Sequence, residues 1–458
     1  VKYSNSNKFP DFTEELPAEF IENFPNNIGL YVVGGALRDA ILAEGCRPPI
    51  ELDILITGVE EHKLLDILRC FGKARSVGKS FTVIKWYPHE QQSAIDVSLP
   101  ARRNIALPGG CEFDPNMPVE EDLIQRDFTV DAMAFDLHTG ELLDPFGGLC
   151  DLKNGVLRAV SENSLAADPV RCLRAAYVCA KCGLLPNEET LSLIKSAMKD
   201  LWKVAPERIG EELRKLLIRL ERPSAAFLLW NDWGLLEIVL PELAEGIGVT
   251  QEGGWHAHDV FEHNLRTVDA APLKLDVRLA ALFHDVGKPK RRRYLIEEER
   301  ATFYGHQNVS ERMSKTALKR LRFSGEIIDR VGRLVRYHMF THAQTDKGVR
   351  RFIRRIGEDI LTELFELRYA DIKAQGTDRD DSSDRQYETR VRAILDEKPP
   401  LSPRDLAVDG NDVMRLLNIE EGPEVGKVLN HLLELVLDDP SKNERESLIA
   451  AIHDFVAL

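Results

Sequence analysis

A chain of 458 residues with 43% apolar and 29% charged residues can bury sizeable cores and is long enough for about two to four domains. Its net charge of −15 argues against a general polyanion binder, leaving only local basic patches for such a ligand. Seven cysteines, an odd number, do not make a disulfide framework, and no apolar run approaches the ~18 residues of a membrane span.

Residues 1 to 27 are polar and proline-punctuated, with a short helix predicted over Pro17 to Asn23. VKYSNSNKFPDF has no apolar signal-peptide core, so the expected location is cytoplasmic. The stretch LYVVGGALRDAILAEGCRPPIELDILIT (Leu30 to Thr57) reads as a strand, a glycine turn at Gly34 and Gly35, and a helix through Ala43. A second strand then carries Glu51 and Asp53, which alternation places on one face. A glycine turn at a helix N-terminus offers N–H groups to phosphate, and paired carboxylates suit hard cations such as Mg²⁺. This predicts a site that handles a nucleoside triphosphate through metal ions.

The helix Glu61 to Cys70, the strands SFTVIKWY and SAIDVSLP, and DAMAFDLHTGELLD around a turn extend a mixed α/β domain, with Asp96 a candidate third carboxylate. Residues 99 to 118 read as a loop long enough to be functional. After Leu165 the strand signal ends. Helices are predicted over Asp168 to Cys182, Glu188 to Met198, Pro206 to Leu220 and Ser224 to Trp230, with the lone pair Cys179 and Cys182 read as helix packing. Residues 254 to 376 are helical and hold seven of the twelve histidines, the clustering a metal domain produces. Thr377 to Glu388 is a charged stretch expected to be mobile, leading to a final helical segment. Basic runs at Lys288 to Arg293, Lys315 to Arg322 and Arg350 to Arg355 are RNA-contact candidates or solvated faces.

GGALRD followed by an acidic-x-acidic strand resembles motif A of the class II tRNA nucleotidyltransferases and bacterial poly(A) polymerases, within the DNA polymerase β superfamily. That family has Asp at the position of Glu51. QRDFTVDAMA (Gln125 to Ala134) is similar to motif B, with Gln125 and Asp131 as departures, and DPFGGLCDLKNGVLR (Asp144 to Arg158) to the hinge motif C. ADPVRCLRAAY (Ala167 to Tyr177) resembles the fourth motif, with Ala167 for Glu, and RIGEELRKLL the fifth, which braces the neck. The resemblance implies Glu51 and Asp53 as catalytic Mg²⁺ ligands. It implies nucleotide contacts from Gly34, Gly35, Arg38, Arg126, Asp127 and Arg174. Asp168 and Arg171, three apart on the predicted helix, share a face; an acceptor beside a donor matches the pairing edges of cytosine and adenine and opposes those of guanine and uracil.

The order His263, His284-Asp285, His306, His338, Asp371 resembles the ligand series of the HD phosphohydrolases, implying Mn, Ni, Fe or Zn, with His306 and His338 on a second ion. The fold class implied is α+β: a polymerase-β-like head with a mixed sheet (28–160) after an extension (1–27), then an all-α neck (161–243), an HD body (244–376) and a helical tail (377–458). The function implied is template-independent tRNA nucleotidyltransfer, building or repairing the 3′ CCA end from CTP and ATP with release of pyrophosphate. HD-domain phosphohydrolysis is a further expectation. Alternatives are a poly(A) polymerase, an A-adding or CC-adding specialist, or an HD hydrolase with a nucleotide-binding head. Expected partners are a tRNA 3′ end, CTP and ATP, with no membrane.

Overall fold

The structure, a computed structural model, describes all residues except 1, 5–11, 13–15, 18, 26, 44–51, 78–82, 90–93, 104–110, 253–256, 378 and 457–458. Glu51 therefore lies outside the described residues. The chain divides into two compact units, Val1–Glu212 with Ala225–Leu235, and Leu213–Ser224 with Leu236–Leu458. No helix among the described residues is long and apolar enough to cross a membrane.

The first unit is built on an eight-stranded mixed sheet. Its strands are β1 (Lys2–Ser4), β2 (Gly29–Val33), β3 (Asp53–Thr57), β4 (Gly72–Val77), β5 (Val83–Pro88), β6 (Ile95–Ser98), β9 (Ala134–Asp136) and β10 (Glu141–Leu143). The spatial order is β1-β10-β9-β2-β3-β6-β5-β4, antiparallel except where β3 runs parallel to β6. Alternation sorts the strands by face. Leu30, Val32, Ile54, Ile56, Ile84, Trp86 and Val97 pack with Leu37, Leu64 and Leu68 from the helices Gly34–Leu42 and Glu61–Cys70. Val33 and Leu55 pack on the other face with Val119, Leu123 and Ala132. Trp86 is fully buried, stacks on Phe20 at 4.7 Å and donates its indole N–H to the Leu68 carbonyl at 3.0 Å, so its one polar atom is satisfied.

Two corrections concern strands. Residues 99 to 118 are not wholly loop, since β7 (Ala101–Arg103) and β8 (Cys111–Phe113) pair antiparallel. The region after Leu165 is not strand-free: β11 (Val156–Leu157) pairs with β12 (Leu185–Pro186), and β13 (Arg293–Leu295) with β14 (Arg300–Thr302). These strands have three residues or fewer, too short for a period of two to register in sequence.

In the second unit the helices Val260–Ala270, Leu275–Phe283, His306–Arg320, Gly325–Tyr337 and Leu361–Ala374 surround the histidine cluster, and Asp259 and Ser324 cap two of them. Arg278 is buried and donates to the carbonyls of Leu217 and Leu220 at 2.6 Å each, fastening residues 213–224 into this unit. Gly410–Leu417, Pro423–Asp438 and Arg445–Val456 form a tail with its own core around Leu432, Leu433, Val436 and Ile452. The charged stretch Thr377 to Glu388 is also corrected: from Ser382 it is helical, within Ser382–Asp396, and Asp384 is 1% exposed.

Motif C is held by buried polar contacts. Asp144 accepts from the N–H groups of Gly148 (2.7 Å) and Leu149 (3.0 Å), and Asp151 accepts from Thr129 Oγ1 at 2.7 Å. A Cβ on Gly148 would lie 2.1 Å from the Thr129 carbonyl oxygen. Gly148→Ala is therefore expected to destabilise the first unit by about 1–3 kcal/mol in denaturant unfolding, the usual cost of overpacking against backbone; an unshifted midpoint would refute this contact.

Candidate active site and a candidate metal centre

The first site lies where β2 turns into the helix Gly34–Leu42. Gly34 has φ +68°, and a Cβ there would meet Arg126 Nη1 at 2.9 Å and Asp53 Oδ2 at 3.5 Å. The glycine thus brings the turn of motif A against the motif B arginine and the β3 aspartate at once. Asp53 and Asp96 are register partners across the parallel pair, and Asp96 is opposite Lys85 on β5, whose Nζ lies 2.5 Å from Asp96 Oδ1. Register partners point to one face, so two carboxylates stand side by side on the sheet face away from the helices Gly34–Leu42 and Glu61–Cys70. Adjacent half-exposed carboxylates beside a glycine turn fit a divalent cation that also touches phosphate. Lys85 is the partner that the sequence did not reveal. Its strand was legible, but the register that sets it opposite Asp96 was not.

Arg38 is not exposed at the turn. It is 3% exposed and pairs with Asp131 Oδ1 at 2.6 Å and Asp39 Oδ1 at 2.8 Å. Burial disfavours its charge, and Asp131 and Asp39 more than restore it, so its pKa is raised. Asp131 itself is raised, by burial first, with Arg38 opposing. Lys181 Nζ pairs with Asp39 Oδ2 at 2.5 Å, joining the neck helix Arg171–Cys182 to the motif A helix.

Motif B and the neck helix meet in a second buried network. Arg174 donates to Asp127 Oδ2 at 2.7 Å and to Glu212 Oε1 at 3.3 Å. Arg171 donates to the carbonyls of Gln125 (2.7 Å), Arg126 (3.2 Å) and Ser164 (2.9 Å). Asp168 lies in the turn before the helix rather than on it and binds Arg208 at 2.7 Å. This corrects the shared helix face expected for Asp168 and Arg171. The proline after Asp168 pushes that residue out of helical conformation, and Arg171 turns toward motif B. Arg208, in the fifth motif, is a partner the sequence did not pair with Asp168.

The second unit gathers all six histidine-series residues, each no more than 5% exposed. His263 Nε2 lies 3.1 Å from Asp371 Oδ1, 3.2 Å from His284 Nε2 and 3.6 Å from Asp285 Oδ2. His306 Nε2 lies 3.0 Å from Asp285 Oδ1 and 3.4 Å from His338 Nε2. Two ligand triads therefore share Asp285: His263, His284 and Asp285, and Asp285, His306 and His338.

The outer nitrogens bear on how this arrangement could hold a cation. Nδ1 of His284, His306 and His338 lies 2.8, 2.9 and 2.8 Å from the carbonyls of Ala281, Phe303 and Val335. A contact to a carbonyl requires the proton on Nδ1, so each ring, when neutral, turns a bare Nε2 lone pair inward. Burial pushes the pKa of His338 down to about 4 and lowers that of His263, so both resist protonation, whereas at His284 burial is outweighed by Asp285 and Asp371, which raise it. Burial alone would raise Asp285 and Asp371, but the surrounding imidazoles, and Lys288 at Asp285, hold both well down and ionised. Wherever a ring is neutral its lone pair faces these carboxylates, and a proton or a metal cation among them would relieve that repulsion. The mixed imidazole and carboxylate set fits divalent transition metals.

Residues 30–158 match the model of the Poly A polymerase head domain, 183–247 that of the probable RNA and SrmB-binding site of polymerase A, and 297–452 that of a putative tRNA nucleotidyltransferase domain 2. The A-adding tRNA nucleotidyltransferase of Deinococcus radiodurans is 38% identical over 341 residues, covering 70% of this chain and 76% of that protein. The CC-adding tRNA nucleotidyltransferase of Thermus thermophilus is 35% identical over 426 residues, 88% of each. In fold, the chain is similar to the crystal structure of the Bacillus stearothermophilus CCA-adding enzyme in complex with CTP, with TM-score 0.66, 21% identity, and 96% and 95% of the two chains covered.

The Asp127–Arg174 pair generates a pH signature. Burial raises the carboxyl, but Arg174 and Arg171 outweigh it and hold Asp127 down to about 2, below its unfolded value of about 3.9. Its stabilisation is complete above the unfolded value and is lost as the pH falls through about 2. Asp127→Asn should remove that part of the acid dependence and cost about 1–3 kcal/mol at neutral pH by taking from Arg174 one of its two carboxylate partners. Parallel stability–pH curves for wild type and variant between these limits would refute the assignment.

Proposed function

The chain belongs to the family of tRNA nucleotidyltransferases and poly(A) polymerases, and we propose that it builds or repairs the 3′-terminal CCA of tRNA from CTP and ATP without a nucleic-acid template. The observation that carries this is the convergence of Gly34, Arg126 and Asp53, with Asp96 beside Asp53. In the reaction the RNA 3′-oxygen bonds to the α-phosphorus, the bond to the β,γ-diphosphate breaks, and pyrophosphate leaves. Asp53 and Asp96, with Glu51 as the preceding carboxylate in the sequence, would hold Mg²⁺, which lowers the hydroxyl's pKa and offsets developing charge. The N–H groups at Gly34 and Gly35 receive the triphosphate, and Arg126 stands at the same turn to neutralise it. Arg38 supports from below, fixing the motif A helix on Asp131.

Base choice falls to the neck. Asp168 accepts from the amino group of cytosine or adenine, and Arg171 donates to the adjacent ring nitrogen. Both must exchange present partners to do so, Asp168 leaving Arg208 and Arg171 leaving the carbonyls around motif B. Arg174, anchored on Asp127 and Glu212, holds that helix while the exchange occurs. A tRNA substrate supports a cytoplasmic location.

A specialised reading is favoured by one observation: the Deinococcus radiodurans relative is named for A addition and the Thermus thermophilus relative for CC addition. Supplying tRNA that lacks CCA, and tRNA ending in CC, with CTP, ATP or both separates the outcomes. The expected product is complete CCA. Addition of C alone or A alone would assign a specialist, and long A tracts a poly(A) polymerase. Asp53→Ala is expected to abolish addition; retained addition would remove Asp53 from the metal site.

The second unit supports a further part of the same proposal, metal-dependent hydrolysis of phosphate esters. His263, His284, Asp285 and Asp371 would hold one ion and Asp285, His306 and His338 another, from Mn²⁺, Ni²⁺, Fe²⁺ or Zn²⁺. Bound there, such ions supply hydroxide at neutral pH. Two ions per chain are expected by elemental analysis after reconstitution. Asp285→Asn should lose both and leave nucleotide addition intact. A wild-type protein that takes up no ion would sink the metal assignment.

A further inference from the structure

A cavity of about 550 Å³ lies over the histidine cluster, with Asp285, His306, His338 and Asp371 among its lining and Arg368 on its wall. Arg368 stands one turn before Asp371 on the helix Leu361–Ala374, which puts both on one face. The helix Ser382–Asp396 supplies its support. Arg368 Nε donates to Asp384 Oδ1 at 2.9 Å, and the guanidinium lies over the Phe340 ring at 5.4 Å. Asp384 is in turn met by His342 Nε2 at 3.1 Å, and the His342 ring stacks on Tyr387 at 4.6 Å.

Arginines that only tie this unit together look different. Arg278 engages all three of its nitrogens on backbone carbonyls, and Arg350 uses Nε and Nη2 on those of Leu437 and Asp438. Arg368 uses Nε alone; among the described residues its two Nη atoms meet no hydrogen-bond acceptor. A planar fork held by its near edge, with its far edge unengaged in a cavity that ends on ligand residues for cations, is suited to bidentate contact with a phosphoryl group. Lys288, 2.5 Å from Asp285 Oδ2 and also on the cavity wall, adds a second positive charge.

We propose that Arg368 binds the phosphoryl group of the ligand of this cavity, and that Asp384, backed by His342, is the residue that positions it. This rests on the hydrolase proposal for the second unit, and the test separates the two. Inorganic phosphate is titrated calorimetrically into the Mn²⁺-loaded full-length protein, and p-nitrophenyl phosphate hydrolysis is followed in parallel.

Arg368→Ala should weaken phosphate binding by about tenfold or more, the loss expected for a charge-assisted contact. Arg368→Lys should recover part of it, and Asp384→Asn should weaken binding in the same direction by a smaller factor. In hydrolysis the Arg368→Lys and Asp384→Asn effects should appear chiefly in KM, with bound metal and nucleotide addition unchanged. Phosphate binding that depends on Arg368 in a protein that hydrolyses nothing would overturn the hydrolase proposal and leave this one standing. Hydrolysis with unaltered KM and phosphate affinity in Arg368→Ala would do the reverse, and a wild type that fails to bind phosphate would overturn the anion site.

Discussion

A buried arginine carries five N–H donors that must find acceptors, and in this chain that demand determines which distant segments meet. Arg38 joins the glycine turn to motif B through Asp131, 93 residues away. Arg171 and Arg174 bind the neck helix to motif B and to Glu212. Arg278 clasps residues 217 to 221, and Arg350 fastens the tail through Leu437 and Asp438. Each link is a charge whose removal would leave a carboxylate or several carbonyls without a donor, so each is structurally costly to change. They are also directional, fixing orientation where apolar packing alone would allow sliding.

The two sites use opposite electrostatic designs. In the head, Asp53 and Asp96 are half-exposed on a sheet face, and Lys85 holds Asp96 where water still reaches it. A cation entering there would displace solvent and a lysine rather than break a buried network. In the second unit the imidazoles and carboxylates are buried and their tautomers fixed from outside by carbonyls. Such a set of buried imidazoles and carboxylates differs from the head in leaving little of each side chain to solvent.

Much of the head could be read from the chain. The turn at Gly34 and Gly35 and the helix Glu61–Cys70 are local, encoded by glycine punctuation and by apolar residues at helical spacing. That His263, His284, Asp285, His306, His338 and Asp371 belong together was legible through the resemblance of their order to the HD ligand series, and the second unit gathers them. What escaped depends on tertiary geometry. The hairpins β7–β8 and β13–β14 have strands too short for alternation to register. The polar run at Ser382 is helical with Tyr387, Val391 and Ile394 buried, and its Asp384 meets Arg368 and His342, partners 16 and 42 residues away. The orientation of Arg171 was hidden for a similar reason: its acceptors are backbone carbonyls, which every residue has.

The same arginine demand bears on how an acidic chain meets an RNA. Of the basic runs that composition offered, Arg350, Arg351 and Arg354 are engaged by Leu437, Glu434 and Asp438, and Lys315 and Arg320 by Glu311 and Glu242. Lys288 is buried beside Asp285. Counting positive residues along the sequence therefore overstates the charge available to phosphate, since most of these cations already neutralise a carboxylate within their own unit. A polyphosphate ligand is better met by arginines whose donors are only partly used. Arg126 at the glycine turn and Arg368 in the cavity are of that kind: each is braced by a carboxylate, Asp122 or Asp384, that sets its direction. Placement of individual guanidinium groups, rather than net charge, decides which cations are open to a phosphate ligand.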